Sequence, residues 1–240
     1  MSLLRRLDTV DKHYSLKVMK MDHWLLNWIM LFAGKLYNRV YATHITYLFG
    51  YYAYLYPTIV FEAVNYNPYR QESLASMGVK SREDFRLDQG EKDRLMDDEY
   101  LRRILGFIMF IFMLGSGLLQ VFTVSQPLKK MLDRDRPVSL KGVNRIQNLR
   151  QIEKHQSMPS GDSQAAGFAL VLFYLFYGNP YLLFIVPVIM VARVYNHCHW
   201  FGDTIVGVFL GSVIACLFFN MFRLKGVYII DSLLKRAEAI

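Results

Sequence analysis

Long runs without a charged side chain constrain this sequence more than any other feature. An α-helix needs about 20 consecutive apolar residues to cross the hydrocarbon core of a bilayer, whereas a soluble amphipathic helix keeps a polar stripe along one side. Although 53% of the residues are hydrophobic and 20% are charged, the charges lie between the runs. The sequence therefore predicts an all-α, polytopic transmembrane helical bundle. The four uncharged runs are Val40–Phe61, Ile104–Gln126, Ser163–Ala192 and Thr204–Phe222.

The runs predict at least five crossings. Ser163–Ala192 is interrupted by Gly178-Asn179-Pro180, so it is predicted to form a helical hairpin of two spans that recruit flanking residues. The other three spans are predicted at Val40–Val64, Ile104–Gln126 and Thr204–Phe222.

A sixth crossing depends on the apolar stretch Trp24–Ala33, which is shorter than the others. It either lies in the membrane interface or crosses within a helix from Met21 to Asn38. Residues 65–103 form a polar segment of mixed charge, which is typical of a solvated loop with short helices. We expect residues 1–240 to form one membrane-embedded domain.

The amino-terminal segment is basic and has no apolar run. Met1–Lys20 is therefore not expected to be a cleavable signal peptide. The formal charge of +8 suits contact with anionic lipid head groups or phosphates. No recognition motif accompanies that charge, so nucleic acid is not an expected partner. Cys198 and Cys216 provide neither a disulfide framework nor the spacing of a metal site.

Three clusters of polar residues lie at the ends of the predicted spans. The topology places all three at the same membrane surface, because the hairpin returns the chain to the side on which it started. The clusters are Lys129-x6-Arg136-Pro137, then Pro159-Ser160-Gly161-Asp162, then Arg193-x5-His199-x3-Asp203.

The cations and the second cluster are suited to a phosphoryl group. Lys129, Arg136 and Arg193 can surround its oxygens, and arginine can bind them in a bidentate manner. Ser160 and Gly161 open a helix, whose free N–H groups and dipole favour an anion. A single cation at such a position is otherwise most often an interfacial anchor.

His199 and Asp203 are suited to nucleophilic catalysis. A neutral imidazole is nucleophilic near neutral pH. Asp203 lies one helical turn after His199 and is positioned to hold the other ring nitrogen. Alternatively, His199 is an ordinary hydrogen-bonded polar residue and Asp203 caps the last span.

Together these motifs resemble the signature of the type 2 phosphatidic acid phosphatase superfamily, which includes the lipid phosphate phosphatases and haloperoxidases. That signature reads Lys-x6-Arg-Pro, Pro-Ser-Gly-His and Ser-Arg-x5-His-x3-Asp. The resemblance implies a phosphate pocket at one membrane surface and metal-independent hydrolysis without a cofactor. It also implies His199 as nucleophile with Asp203 as its partner. The residues it implies for phosphate binding are Lys129, Arg136, Ser160, Gly161 and Arg193.

Two positions depart from that signature. Ala192 replaces a serine, and Asp162 replaces the histidine expected to protonate the leaving oxygen. Three possibilities follow. Asp162 itself is the catalytic acid, or His155 or His197 takes that role. Alternatively, the leaving group is itself a phosphate, as in a diphosphate substrate, and depends less on protonation by an acid.

The expected function is hydrolysis of a lipid phosphate or lipid diphosphate through a phosphohistidine on His199. The same pocket also fits a lipid phosphotransferase, or a non-catalytic relative that binds phospholipid or a protein partner. A channel or transporter fits less well, since the polar clusters lie at one surface. The resemblance implies location in the endoplasmic reticulum or another endomembrane.

Overall fold

The computed structural model describes residues 3–35, 39–65, 90, 93, 96–147, 149 and 154–237. Its regular structure in these ranges is helical, without a β-strand, which confirms the all-α fold. Most of the predicted polar segment 65–103 lies outside the described residues. The helices are α1 Leu3–Met19, α2 Trp24–Lys35, α3 Arg39–Leu55, α4 Pro57–Asn65, α5 Glu99–Gln120, α6 Gln126–Leu132, α7 Gly161–Tyr177, α8 Ile185–Tyr195 and α9 Phe201–Ala237.

Two of the described helices are long and apolar enough to cross a bilayer. One is Glu99–Leu132, in which α5 continues into α6 through a π-helical turn at Val121–Ser125. The other is Phe201–Arg223, the first part of α9. Tyr181–Tyr195 is apolar but shorter. The predicted total of five or six crossings stays a prediction.

Helices α3 and α4 divide the segment that was predicted as one span, Val40–Val64. The first ends at Leu55 and the second begins at Pro57. Proline has no N–H to donate and its ring disfavours helical geometry in the residue before it. The chain therefore leaves the helical conformation at Tyr56, which the uncharged run Val40–Phe61 did not reveal.

The charged residues before Ile104 belong to the helix that follows them. Helix α5 begins at Glu99, and the side chain of Asp98 accepts a hydrogen bond from the N–H of Leu101 at 3.0 Å. An aspartate at this position satisfies one of the N–H groups that have no partner at a helix start. Capping thus extends α5 five residues ahead of the predicted boundary.

The predicted hairpin forms from α7, a short 3-10 turn at Tyr181–Phe184, and α8. Gly178 ends α7 in the left-handed conformation with φ of 69°, and its N–H donates to the carbonyl of Tyr174. Glycine adopts this conformation without a steric penalty. The turn at residues 178–180 lies where the sequence placed it.

Helix α2 has 12 residues, so its axis is about 18 Å long at 1.5 Å per residue. That length is less than the roughly 30 Å of hydrocarbon in a bilayer. Trp24 and Trp28 are exposed. These observations favour the interfacial alternative for this segment.

An aromatic core holds α3, α5, α7 and α9 together. Phe49 contacts the rings of Phe173, Phe176 and Tyr177. The Phe176 ring also contacts Phe219 on α9, with ring centroids 4.9 Å apart. Edge-to-face pairs of this kind add to the stabilisation from burial.

Close contact between the backbones of α7 and α9 fixes the helix that begins at the second polar cluster against the helix that carries Asp203 of the third. A side chain on Gly211 would overlap the carbonyl oxygen of Gln164 and lie 2.7 Å from the N of Phe168. A side chain on Gly207 would lie 2.6 Å from the carbonyl oxygen of Ser160. Small residues permit such approach between membrane helices.

We expect Gly211→Ala to lower the free energy of unfolding by about 1–3 kcal/mol, because the added methyl group forces α9 away from α7. Thermal unfolding in detergent measures the change. Gly115→Ala is the matched control, since a side chain there meets nothing within 4 Å. Equal melting temperatures for the two variants would contradict this packing.

Candidate active site

The three polar clusters meet where α6 ends and where α7 and α9 begin. The N–H of Ser160 donates to the carbonyl of Asp203 at 3.0 Å, which joins the second and third clusters. Lys129 Nζ lies 3.7 Å from the position that a side chain on Gly161 would occupy. The structure therefore brings together residues that are separated by as many as 74 positions in the chain.

Arg193 is buried and has one donor without a partner. Its Nη1 donates to the carbonyl of Gly34 at 3.0 Å, and its Nη2 lies 2.7 Å from Oδ2 of Asp162. Its Nε is buried and makes no hydrogen bond to the protein. An unpaired buried donor is costly, so this N–H is suited to a ligand oxygen.

Arg136 holds the loop that precedes α7. Its guanidinium donates to the carbonyls of His155, Gln156 and Cys198 at 3.1–3.4 Å. The loop is thereby attached to the segment that carries His199. The sequence predicted Arg136 as a phosphate ligand, which stays a prediction, and the structure shows it holding this loop.

The start of α7 is capped by Ser160. Its hydroxyl lies 3.0 Å from Oγ of Ser163 and 3.4 Å from the N–H of the same residue. Gly161, the first residue of α7, faces both Lys129 and Ser125. The π-helical turn ends at Ser125, one turn before Lys129, and π-turns are frequent at functional sites.

The ring of His199 is held by a backbone carbonyl. Its Nδ1 lies 2.8 Å from the carbonyl oxygen of Ser157 and 3.7 Å from Oδ2 of Asp203. Because a carbonyl only accepts, Nδ1 carries the proton in the neutral ring, and Nε2 carries the lone pair. The direct hydrogen bond expected between Asp203 and the ring is replaced by one to Ser157.

Asp203 is fully buried and accepts hydrogen bonds from three neighbours. Arg134 Nη1 reaches its Oδ1 at 2.6 Å, and the N–H of Trp200 reaches its Oδ2 at 2.9 Å. The hydroxyl of Ser157 also donates to Oδ2. The bond to Trp200 is the half of a capping box that an acidic residue supplies, so Asp203 also caps α9.

Arg134 and Ser157 were not among the predicted site residues. Arg134 lies within the six residues between Lys129 and Arg136, and Ser157 lies two residues before Pro159. Their positions inside or beside the motifs were a signal. Their contacts with Asp203 could not be predicted from the sequence, because these contacts depend on how the loop folds.

The other two histidines considered as an acid have different surroundings. His197 is buried, and its Nε2 lies 3.2 Å from the carbonyl oxygen of Met19. His155 is exposed, and its Nδ1 lies 2.7 Å from Oδ1 of Asp135. No group of three or more His, Cys, Asp or Glu side chains within the described ranges is arranged to hold a metal ion.

Burial lowers the pKa of His199 below its ordinary value of 6.5, and the positive charges of Arg193 and Arg136 lower it further. The neighbouring carboxylate of Asp203 opposes the shift. Burial acts on the charged form, which loses hydration. The ring is therefore neutral near neutral pH, as a nucleophile requires.

A sequence profile of the PAP2 superfamily matches residues 104–226. The chain belongs to the PAP2 superfamily. This confirms the family that the motifs indicated, and the matched region contains all three polar clusters. No curated protein and no solved structure matches the chain significantly. PAP2 proteins are generally phosphatases and mostly membrane-associated, so the chain is assigned phosphatase-type activity on a phosphorylated substrate.

We expect nitrogen NMR of histidine-labelled protein to find His199 protonated at Nδ1 and titrating below pH 6.5. Because the pKa of His199 is lowered, its ring is still mostly neutral at the pH where an ordinary histidine is half charged. The spectrum of His199→Gln identifies the signal. Protonation at Nε2, or a midpoint at or above 6.5, would contradict the geometry.

Proposed function

We propose that this protein is a membrane lipid phosphatase that hydrolyses a lipid phosphate or diphosphate through a phosphohistidine on His199. The observation that carries the proposal is the imidazole whose Nδ1 proton is held by Ser157, because Nε2 then has the lone pair for attack. The unpartnered Nε of Arg193 supports the binding of a phosphate oxygen beside it.

In the first step, Nε2 of His199 forms a bond to phosphorus and the bond from phosphorus to the leaving oxygen breaks. The leaving oxygen takes a proton, and the imidazole becomes a phosphorylated cation that the carboxylate of Asp203, 3.7 Å from Nδ1, stabilises. Water then attacks the phosphorus and passes a proton to the carboxylate of Asp162, the bond from phosphorus to Nε2 breaks, and inorganic phosphate leaves with Nε2 restored. Lys129, Arg136, Arg193 and the start of α7 compensate the phosphoryl charge.

A lipid substrate is favoured by where the site lies relative to the apolar helices. Glu99–Leu132 ends beside Lys129, and Phe201–Arg223 begins beside Asp203. The phosphoryl group of a lipid lies at the same depth as such helix ends, because its acyl chains remain in the hydrocarbon. We also propose that the protein is located in the endoplasmic reticulum or another endomembrane.

Asp162 is proposed to exchange its partner when substrate binds. In the structure its carboxylate holds Nη2 of Arg193, which a phosphate also requires. Incoming phosphate takes Arg193, and the released carboxylate accepts the proton that a substrate phosphate monoanion carries. That proton is delivered to the leaving oxygen.

The main test is phosphate release by detergent-purified protein in the presence of EDTA, from a panel of lipid monophosphates and diphosphates. We expect turnover in EDTA, and a loss of at least about 10³-fold in His199→Ala, because the nucleophile is removed. A folded wild-type protein that releases no phosphate from any substrate would contradict the proposal. Equal activity of the variant would contradict the role of His199.

Asp162→Asn is expected to change binding and turnover in opposite directions. Removal of the negative charge at Arg193 should tighten inhibition by inorganic phosphate by about fivefold, near 1 kcal/mol. Loss of the proton donor should lower kcat on a monophosphate by about 10²-fold or more, and on a diphosphate by less.

Asp162→Glu is the matched control, since it keeps the carboxyl group. Phosphate inhibition that stays unchanged in Asp162→Asn would show that the ion pair does not compete with phosphate. An unchanged kcat would assign the proton to another group.

A further inference from the structure

Helix α1 contacts the candidate active site although it lies outside the region that the superfamily profile matches. Asp8, Asp11 and Ser15 are spaced by three and four residues, so they share one face of the helix. That face packs on the start of α9 and on the loop after α6. The contacts are polar, in contrast to the aromatic packing at the other end of the bundle.

Side chains of α1 cap the first turn of α9. The N–H of Gly202 donates to Oδ1 of Asp11 at 2.9 Å, and the N–H of Phe201 donates to Oγ of Ser15 at 2.9 Å. The first N–H groups of a helix have no partner within it. Asp203 belongs to this same turn, so α1 fixes the backbone that carries it.

Arg134 connects α1 to the carboxylate of Asp203. Its Nη1 lies 2.6 Å from Oδ1 of Asp203. Its Nη2 lies 2.6 Å from Oδ1 of Asp8 and 2.8 Å from Oδ2 of Asp11. Because the guanidinium is planar and rigid, an anchor at Nη2 also determines where Nη1 points. Although burial opposes it, the three carboxylates raise the pKa of Arg134, which stays charged.

We infer that Asp11 is a positioning residue which, through Arg134, holds Asp203 and hence His199 in the geometry for attack. The connection to His199 runs through Ser157, whose hydroxyl donates to Asp203 and whose carbonyl holds Nδ1 of the ring. The inference rests on the proposed function of His199. Helix α1 accordingly supports the active site from the outside.

Asp11→Asn tests the inference, since it keeps the size of the side chain and removes one of the two α1 charges that anchor Arg134, the other being Asp8. We expect kcat to fall by about tenfold, because small displacements of reacting groups slow the attack. KM should change by less than about twofold, since Asp11 does not contact the phosphate. The control is Asp97→Asn, the same substitution at an exposed residue two positions before α5 begins, at the end of α5 that is far from the candidate site.

Binding of two anions separates positioning from general damage. Vanadate imitates the five-coordinate transition state at phosphorus, whereas phosphate imitates the ground state. Titration calorimetry of Asp11→Asn should find vanadate binding weakened by about tenfold and phosphate binding changed by less than about twofold. A defect in folding would weaken both.

Gly202→Ala provides a second variant that leaves every charge in place. The added methyl group would lie 2.7 Å from Oδ2 of Asp11, so the flexible carboxylate must move away from Arg134. We expect the same selective loss of vanadate binding and of kcat. Gly115→Ala, with open space around it, is the control.

The results distinguish this inference from the proposed function. Wild-type protein that binds vanadate without turnover, with binding weakened in Asp11→Asn and Gly202→Ala, would support the positioning role and contradict the phosphatase. Active wild-type protein with unchanged kcat and vanadate binding in both variants would overturn the role of α1. Equal weakening of vanadate and phosphate would also overturn it. Wild-type protein with neither turnover nor vanadate binding would overturn both.

Discussion

The buried carboxylate of Asp203 is the group on which the arrangement of the site depends. A charge without access to water costs several kcal/mol unless it is paired and hydrogen-bonded. Arg134, Ser157 and the N–H of Trp200 supply those bonds from two different segments. Satisfying one carboxylate thus attaches the loop after α6 to the start of α9. The same bonds set the position of Ser157, whose carbonyl holds His199.

Charge pairing around the candidate site follows from the same requirement. Arg193 pairs with Asp162, and Arg134 pairs with carboxylates from α1 and α9. Arg136 instead donates to backbone carbonyls. Arginines held this way are oriented before a ligand arrives, so little reorganisation is needed when negative charge develops.

Much of the fold was accessible from local patterns. Uncharged runs located α5, α7, α8 and α9, and Gly178-Asn179-Pro180 located the hairpin turn. The errors occurred at boundaries. Pro57 divides a predicted span, and the cap at Asp98 extends α5 into a charged stretch. Hydropathy averages over about one helix length and is insensitive to a single missing N–H or a single capping bond. Helix α1 has no apolar run, so hydropathy did not indicate that its polar face packs against the candidate site.

The sequence by itself determined the family, the helical class and the residue types that gather at one end of the helices, because helix length and motif spacing are local properties. Tertiary structure decided which of those residues touch. Arg134 and Asp203 are 69 residues apart, and Arg134 and Asp11 are 123 apart. Such contacts arise from the packing of helix ends and the path of a loop, which no periodicity records. For the same reason the partner of the His199 ring became identifiable from the fold alone.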